Sequence, residues 1–212
     1  MQKPLVIAYH LVWTAYGWWL PNDPRGSESK IVRNPPLAKI GNLHYGRKMH
    51  QPARREVRAF YDRAKPLLRH ALLKFTPDEV ATAASGLAHA ITKHNYTCYA
   101  CAIMPDHVHL VIRKHKHTAE EMIENLQTLS RERLVAEGFR DPGHPIWTVG
   151  GWKGFLDRPS AVRRVVAYVE KNPSEIGRPL QCWPLVTEYN NWPLHPGHSP
   201  NSPYARRLRG AR

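Results

Sequence analysis

Met104-Pro-Asp-His-Val-His-Leu-Val-Ile112 sets two histidines on either side of one apolar residue inside a strand-like run. Side chains alternate across a strand, so His107 and His109 share one face while Val108, Leu110 and Ile112 share the other. Along that face the two imidazoles stand about 6 to 7 Å apart, a spacing that lets their ring nitrogens converge on one cation. Immediately upstream, Asn95-Tyr-Thr-Cys-Tyr-Ala-Cys-Ala-Ile-Met104 also reads as a strand, and Pro105-Asp106 reads as a turn. The stretch predicts an antiparallel hairpin whose second strand carries half of a metal site.

Helix signals flank the hairpin on both sides. Thr76-Pro-Asp-Glu79 combines a capping residue, a proline at the first helical position and an acid three residues after the cap, which predicts a helix to about His94. Thr118-Ala-Glu-Glu121 opens another to about Ala136, with Met122, Leu126, Leu129 and Leu134 as its core stripe. Residues 5–16 (LVIAYHLVWTAY) read as a first, buried strand. Residues 56–74 have helical character that Pro66 should interrupt. Pro145 to Trp152 permits a short strand or a close-approach loop, and a third main helix spans roughly Pro159 to Lys171, stopped by Asn172-Pro173. This alternation predicts an α+β chain, an antiparallel sheet with helices largely on one face.

Between the first strand and the first capped helix, residues 21–58 are rich in Pro and Gly, more basic than acidic and without clear periodicity, which predicts a long basic loop or insertion. Residues 193–212 contain no acid and read as a basic tail, leaving residues 1–192 as one domain. The 31 Lys and Arg against 17 Asp and Glu give a net charge of +14, and the pI is about 10.0. That excess favours an anionic polymer as partner. No apolar run approaches the roughly 20 residues needed to span a bilayer, so a membrane is not expected. Three cysteines (Cys98, Cys101 and Cys182) and an N-terminus without the regions of a signal peptide place the expected compartment in a reducing cytoplasm.

The third helix supplies a second chemical candidate. Val162, Val165, Val166 and Val169 form an apolar stripe, with Tyr168 at its edge one turn before Asn172. Residues four apart share a helix face, so Tyr168 and Asn172 can address one point. A tyrosine hydroxyl is a weak nucleophile, yet it can attack phosphorus when held in line with a phosphate polarised by a metal. Each signal has a plainer account: histidines satisfied by hydrogen bonds, a tyrosine packed beside valines, an asparagine at a helix end. His10 either lines the active-site face from the first strand or, as the plainer account, is a buried, hydrogen-bonded histidine. His115 and His117, in a basic run, face phosphate or solvent. Trp147 and Trp152 stack on bases or pack in the core.

MPDHVHLVI, the later AYVEKNP and the N-terminal HLVWTAYGWWLPNDPRGS together resemble the insertion sequence 200-like single-tyrosine HUH transposases, in particular their REP-associated tyrosine transposase branch. The resemblance spans about residues 5–20 and 76–192. It implies a ferredoxin-like form of the α+β fold, with His107, His109 and Asn172 as ligands of a divalent metal, Mg2+ or Mn2+, and Tyr168 as nucleophile. It further implies cleavage and rejoining of single-stranded DNA at hairpin-associated sites through a 5′-phosphotyrosine, with a homodimer as one possible assembly. Arg113, Lys114, Arg206, Arg207 and Arg209 are the expected backbone contacts. Two alternatives stay open: a hairpin-binding protein that does not transpose, and a module stabilised by zinc on Cys98, Cys101 and the histidine pair.

Overall fold

The turn at Pro105-Asp106 closes as the hairpin reading requires, and the sheet grows from it. In the computed structural model, which describes residues 5–193, β2 (Cys98–Ile103) pairs antiparallel with β3 (His107–Arg113). The first strand, β1 (Ala8–Thr14), lies on the other side of β3, with Thr14 opposite His107 and Ala8 opposite Arg113. The edge strand β4 (Trp152–Leu156) pairs with β1. The order is β2-β3-β1-β4, antiparallel throughout. Between β1 and β2 lie two shorter helices and one long helix that packs on the sheet, and another long helix joins β3 to β4, so the strands and their core helices make the ferredoxin-like βαββαβ arrangement.

Alternation along the strands gives the sheet two different faces. Tyr9, Leu11, Trp13, Val108, Leu110 and Ile112 meet α3 (Pro77–His94) and α4 (Ala119–Ala136) in the larger core. Both helices begin with complete capping boxes, Thr76 with Glu79 and Thr118 with Glu121, so the N-terminal signals in the sequence operate as expected. On the opposite face Ala8, Ala100, Ala102 and Val111 pack against Ala161, Val162 and Val169 of α5 (Pro159–Glu175). Two of the three long helices therefore cover one face, and α5 covers the face that carries the histidines.

The edge strand β4 begins only at Trp152, where the short strand or loop expected over Pro145 to Trp152 ends, and the sequence expectations hold less well at three further places. The helix expected to stop at Asn172-Pro173 continues to Glu175 with Pro173 inside it. Proline there removes a single donor, the one that would serve the Val169 carbonyl, with only two helical residues still to follow. Asn172 is consequently an interior helix residue, 7% exposed, rather than a terminal one. The helical stretch expected over 56–74 is α2 (Arg54–Ala64) followed by a single 3-10 turn at Lys65–Leu67, with Pro66 at the break.

The third difference is the expected loop at 21–58. It holds a short helix, α1 (Pro35–Ala38), and the start of α2, and it has a core of its own in which Leu20 and Leu37 pack on Phe60, Tyr61 and Ala64. At its centre the Asp23 carboxylate, fully buried, accepts from the Tyr61 hydroxyl (2.6 Å) and from two nitrogens of Arg25 (2.8 and 2.7 Å). The residues that anchor this unit lie up to some forty positions apart, beyond the reach of local periodicity. The stretch at 193–212, with Arg206, Arg207 and Arg209, falls outside the described residues apart from Pro193.

Candidate active site

The register of the sheet brings a third histidine to the pair. β1 places His10 opposite Val111, on the side of the sheet shared by His107 and His109. His10 Nε2 and His109 Nδ1 lie 3.0 Å apart in a buried hydrogen bond, their rings stacked with centroids 5.2 Å apart. Burial pushes the His10 pKa down to about 4. Burial, with the neighbouring His107 and His10, pushes His109 down to about 2. Both rings are neutral near pH 7, the form in which an imidazole ligates a metal.

His107 is held differently. Its Nδ1 bonds the Asp106 carboxylate at 2.6 Å. Burial alone would raise the Asp106 pKa, but the His107 hydrogen bond and charge, with Lys74, outweigh it and hold the carboxyl below its usual range. Each histidine of the pair thus has its Nδ1 engaged, which leaves its Nε2 as the free donor edge. An imidazole fixed through one nitrogen and open at the other is the usual arrangement of a metal-ligating histidine. The rings of His107 and His109 stand 4.8 Å apart.

Tyr168 reaches this cluster from α5. Its ring centroid lies 5.7 Å from that of His109 and 6.0 Å from that of His10, edge-on to both, and the residue is 49% exposed. The phenol is therefore in ring contact with the histidines and open to a large ligand. One turn on, the Asn172 side-chain amide donates to the Tyr168 carbonyl at 2.8 Å, which ties the asparagine to the backbone that carries the tyrosine. Its amide oxygen is the group suited to a hard cation. The structure so brings His107, His109 and Tyr168 together, with Asn172 buried on the same helix.

The other sequence candidates sort clearly. Cys98 and Cys101 sit opposite Ile112 and Leu110 and pack in the core beneath α3 and α4, on the face away from the histidines. A zinc site joining the two pairs is ruled out by this geometry. Burial also pushes the Cys98 thiol up to about 12 and Cys101 well above its ordinary value, so neither is a thiolate. Among the described residues no group of three or more His, Cys, Asp or Glu is arranged to hold a metal, so a site here needs the asparagine or substrate oxygens to complete it. Arg113 is stacked 4.0 Å above the Trp192 ring, whereas Lys114 is exposed beside it in a groove of about 250 Å³ with Asn95, Thr97 and His115. His117 bonds the Tyr96 hydroxyl at 2.8 Å instead of facing solvent alone. Trp147 is a core residue whose indole donates to Ser130 at 3.0 Å.

Three contributors carried no decisive sequence signal. Asp106 looked like a turn residue, although an acid directly before the histidine motif is the available hint. His10 is a strand residue 97 positions from His107, and only strand register places it. Trp152, 47% exposed, stands edge-on to His10 at 5.3 Å over Gly154, where a Cβ would meet its ring at 2.6 Å.

No family model and no curated protein matches the sequence. Among solved structures the chain is similar to a REP-associated tyrosine transposase bound to a REP hairpin, at 9% identity and a TM-score of 0.44 over 84% of this chain and 73% of that one. It is also similar to a candidate transposase from Deinococcus radiodurans R1, at 15% identity and a TM-score of 0.37 over 81% of this chain and 97% of that one. The functional reading accordingly rests on the residues of the site.

Proposed function

We propose that the protein is a transposase that cleaves and rejoins single-stranded DNA beside hairpins, with Tyr168 as nucleophile. The observation that carries this reading is the convergence of one half-exposed tyrosine on the histidine pair, its ring 5.7 Å from that of His109, on a strongly basic chain. His107 and His109 through Nε2, with the Asn172 amide oxygen, would hold a divalent cation that polarises the scissile phosphate. Tyr168 Oη attacks phosphorus, the bond to the 3′-oxygen breaks, and a 5′-phosphotyrosine forms. The phenolic proton leaves to solvent and the departing strand ends as a 3′-hydroxyl. Attack of a 3′-hydroxyl on the phosphotyrosine reverses the step and frees the phenol. His10 and Asp106 fix the two imidazoles, and α5 positions the phenol, so the protein acts by placement and electrostatics. Tyr168 contacts His10 and His109 of its own chain, which supports a site completed within one subunit.

Tyr168→Phe tests the reading, since phenylalanine keeps the ring and removes only the attacking oxygen. With labelled single-stranded hairpin substrate and Mn2+, a denaturing gel should show cleavage and a covalent adduct for the native protein and neither for the variant, with binding retained. An adduct that persists in the variant moves the nucleophile elsewhere. Binding without cleavage by the native protein supports a hairpin-binding protein that does not transpose.

A further inference from the structure

Trp19 is held in a way that its own packing does not explain. It adopts φ +56°, a left-handed conformation that costs a bulky residue free energy and persists only when its surroundings enforce it. The surroundings do so: the Trp19 backbone N–H donates to the Tyr61 hydroxyl at 2.7 Å, and the indole Nε1–H donates to the Gly26 carbonyl at 2.7 Å. One face of the ring is covered by the Arg25 guanidinium, 3.9 Å from the centroid, and Arg25 is itself locked to the buried Asp23. The residue remains 39% exposed. An indole pinned at both polar handles and backed by a cation presents a rigid aromatic surface to solvent at little further entropic cost.

Its position links it to the catalytic end of the sheet. β1 ends at Thr14, paired with His107, and the Thr14 hydroxyl donates to the Trp18 carbonyl at 3.1 Å. Trp19 thus lies five residues beyond the end of the central strands at which His107 emerges. The unit around it is strongly basic: residues 21–70 carry twelve Lys and Arg against four acids, Asp23, Glu28, Glu56 and Asp62. Asp23 is spent on Arg25 and Tyr61, and Asp62 is paired with Lys65 at 3.0 Å. The occupant that suits a fixed aromatic face in a positive field is a nucleobase whose phosphates are neutralised nearby.

We propose that the Trp19 indole, backed by Arg25, is a stacking platform for one unpaired base of the strand that Tyr168 cleaves. The proposal rests on the function proposed above and adds a subsite to it. Arg25 takes no part in readout; it stiffens the ring and contributes charge, so the contact is tolerant of base identity.

The test compares two probes of equal length and charge, oligothymidylate and an abasic deoxyribose-phosphate chain, against native protein, Trp19→Gly and Trp19→Phe. Glycine adopts positive φ freely and keeps the backbone bond to Tyr61, so it removes the ring while easing the backbone. The native protein should prefer oligothymidylate, Trp19→Gly should lose about 5- to 100-fold of that preference without weakening on the abasic chain, and Trp19→Phe should keep most of it. Should Trp19→Gly fail to fold, photo-crosslinking of native protein to a 5-iodouracil oligonucleotide reads the same contact, with the adduct expected on Trp19. Equal preference in native protein and Trp19→Gly, or crosslinks only elsewhere, overturns the platform while the cleavage reading stands. Native protein that binds neither probe overturns both.

Discussion

The orientation of His107 and His109 is set by two neighbours, one adjacent in sequence and one that only strand register brings close. Asp106 holds one Nδ1 and His10 the other, so each Nε2 is presented at a fixed angle. Replacing either histidine by alanine removes a donor from the face opposite Val108, Leu110 and Ile112, which are fully buried in the larger core. His107→Ala and His109→Ala should therefore abolish cleavage at limiting Mn2+ while the melting temperature stays within a few degrees of native. A variant that cuts at the native rate under those conditions removes the ligand assignment. The facing of this pair was legible from alternation alone. The bond between His10 and His109 was not, because alternation fixes faces within a strand and says nothing of the register between strands 99 residues apart.

At the scale of elements, local signals and long-range contacts divide the credit. Thr76 and Thr118 announced α3 and α4 to within a residue, since caps are chemistry of adjacent positions. What presses these helices together was invisible: a Cβ on Gly86 would stand 2.5 Å from the Ser130 backbone and 2.8 Å from the Leu129 carbonyl. Gly86→Val should cost about 1 to 3 kcal/mol or more in denaturant unfolding, as overpacking does, and an unchanged midpoint would contradict that packing. The folded insertion was missed for a related reason, because its Asp23, Arg25 and Tyr61 network joins residues with no shared periodicity. Tyr61→Phe strips a hydroxyl that donates to Asp23 and accepts from Trp19, with an expected loss of about 1 to 3 kcal/mol. Burial first, and Asp23 second, raise the folded pKa of Tyr61 above its ordinary value near 10. The hydroxyl's contribution is thus full below about pH 10 and lost as pH rises toward the folded value, so alkaline titration should unfold native protein in a step that Tyr61→Phe lacks.

For the molecule as a whole, the proposed partner follows from charge and the proposed chemistry from the sheet. The net charge of +14 was plain from composition, and binding to single strands should weaken steeply with salt, each phosphate contact adding about 0.7 to the slope of log affinity against log salt. Residues 193–212 carry Arg206, Arg207, Arg209 and Arg212 and no acid. Their removal should flatten that slope by up to about three units with little change in preferred hairpin. An unchanged slope marks the segment as dispensable for binding, and tighter binding with faster cleavage marks it as inhibitory. No helix among the described residues is long and apolar enough to cross a membrane. The central claim is that α5 delivers a nucleophile to the histidine face of the sheet, and it is tested by mapping the covalent adduct on the unaltered chain. After reaction with single-stranded hairpin DNA, nuclease trimming and trypsin digestion, mass spectrometry should find the residual nucleotide on the peptide Val165–Lys171, in which Tyr168 is the only hydroxyl-bearing residue. A nucleotide on any other peptide, such as the one bearing Tyr189, or cleavage with no covalent adduct, would contradict the account.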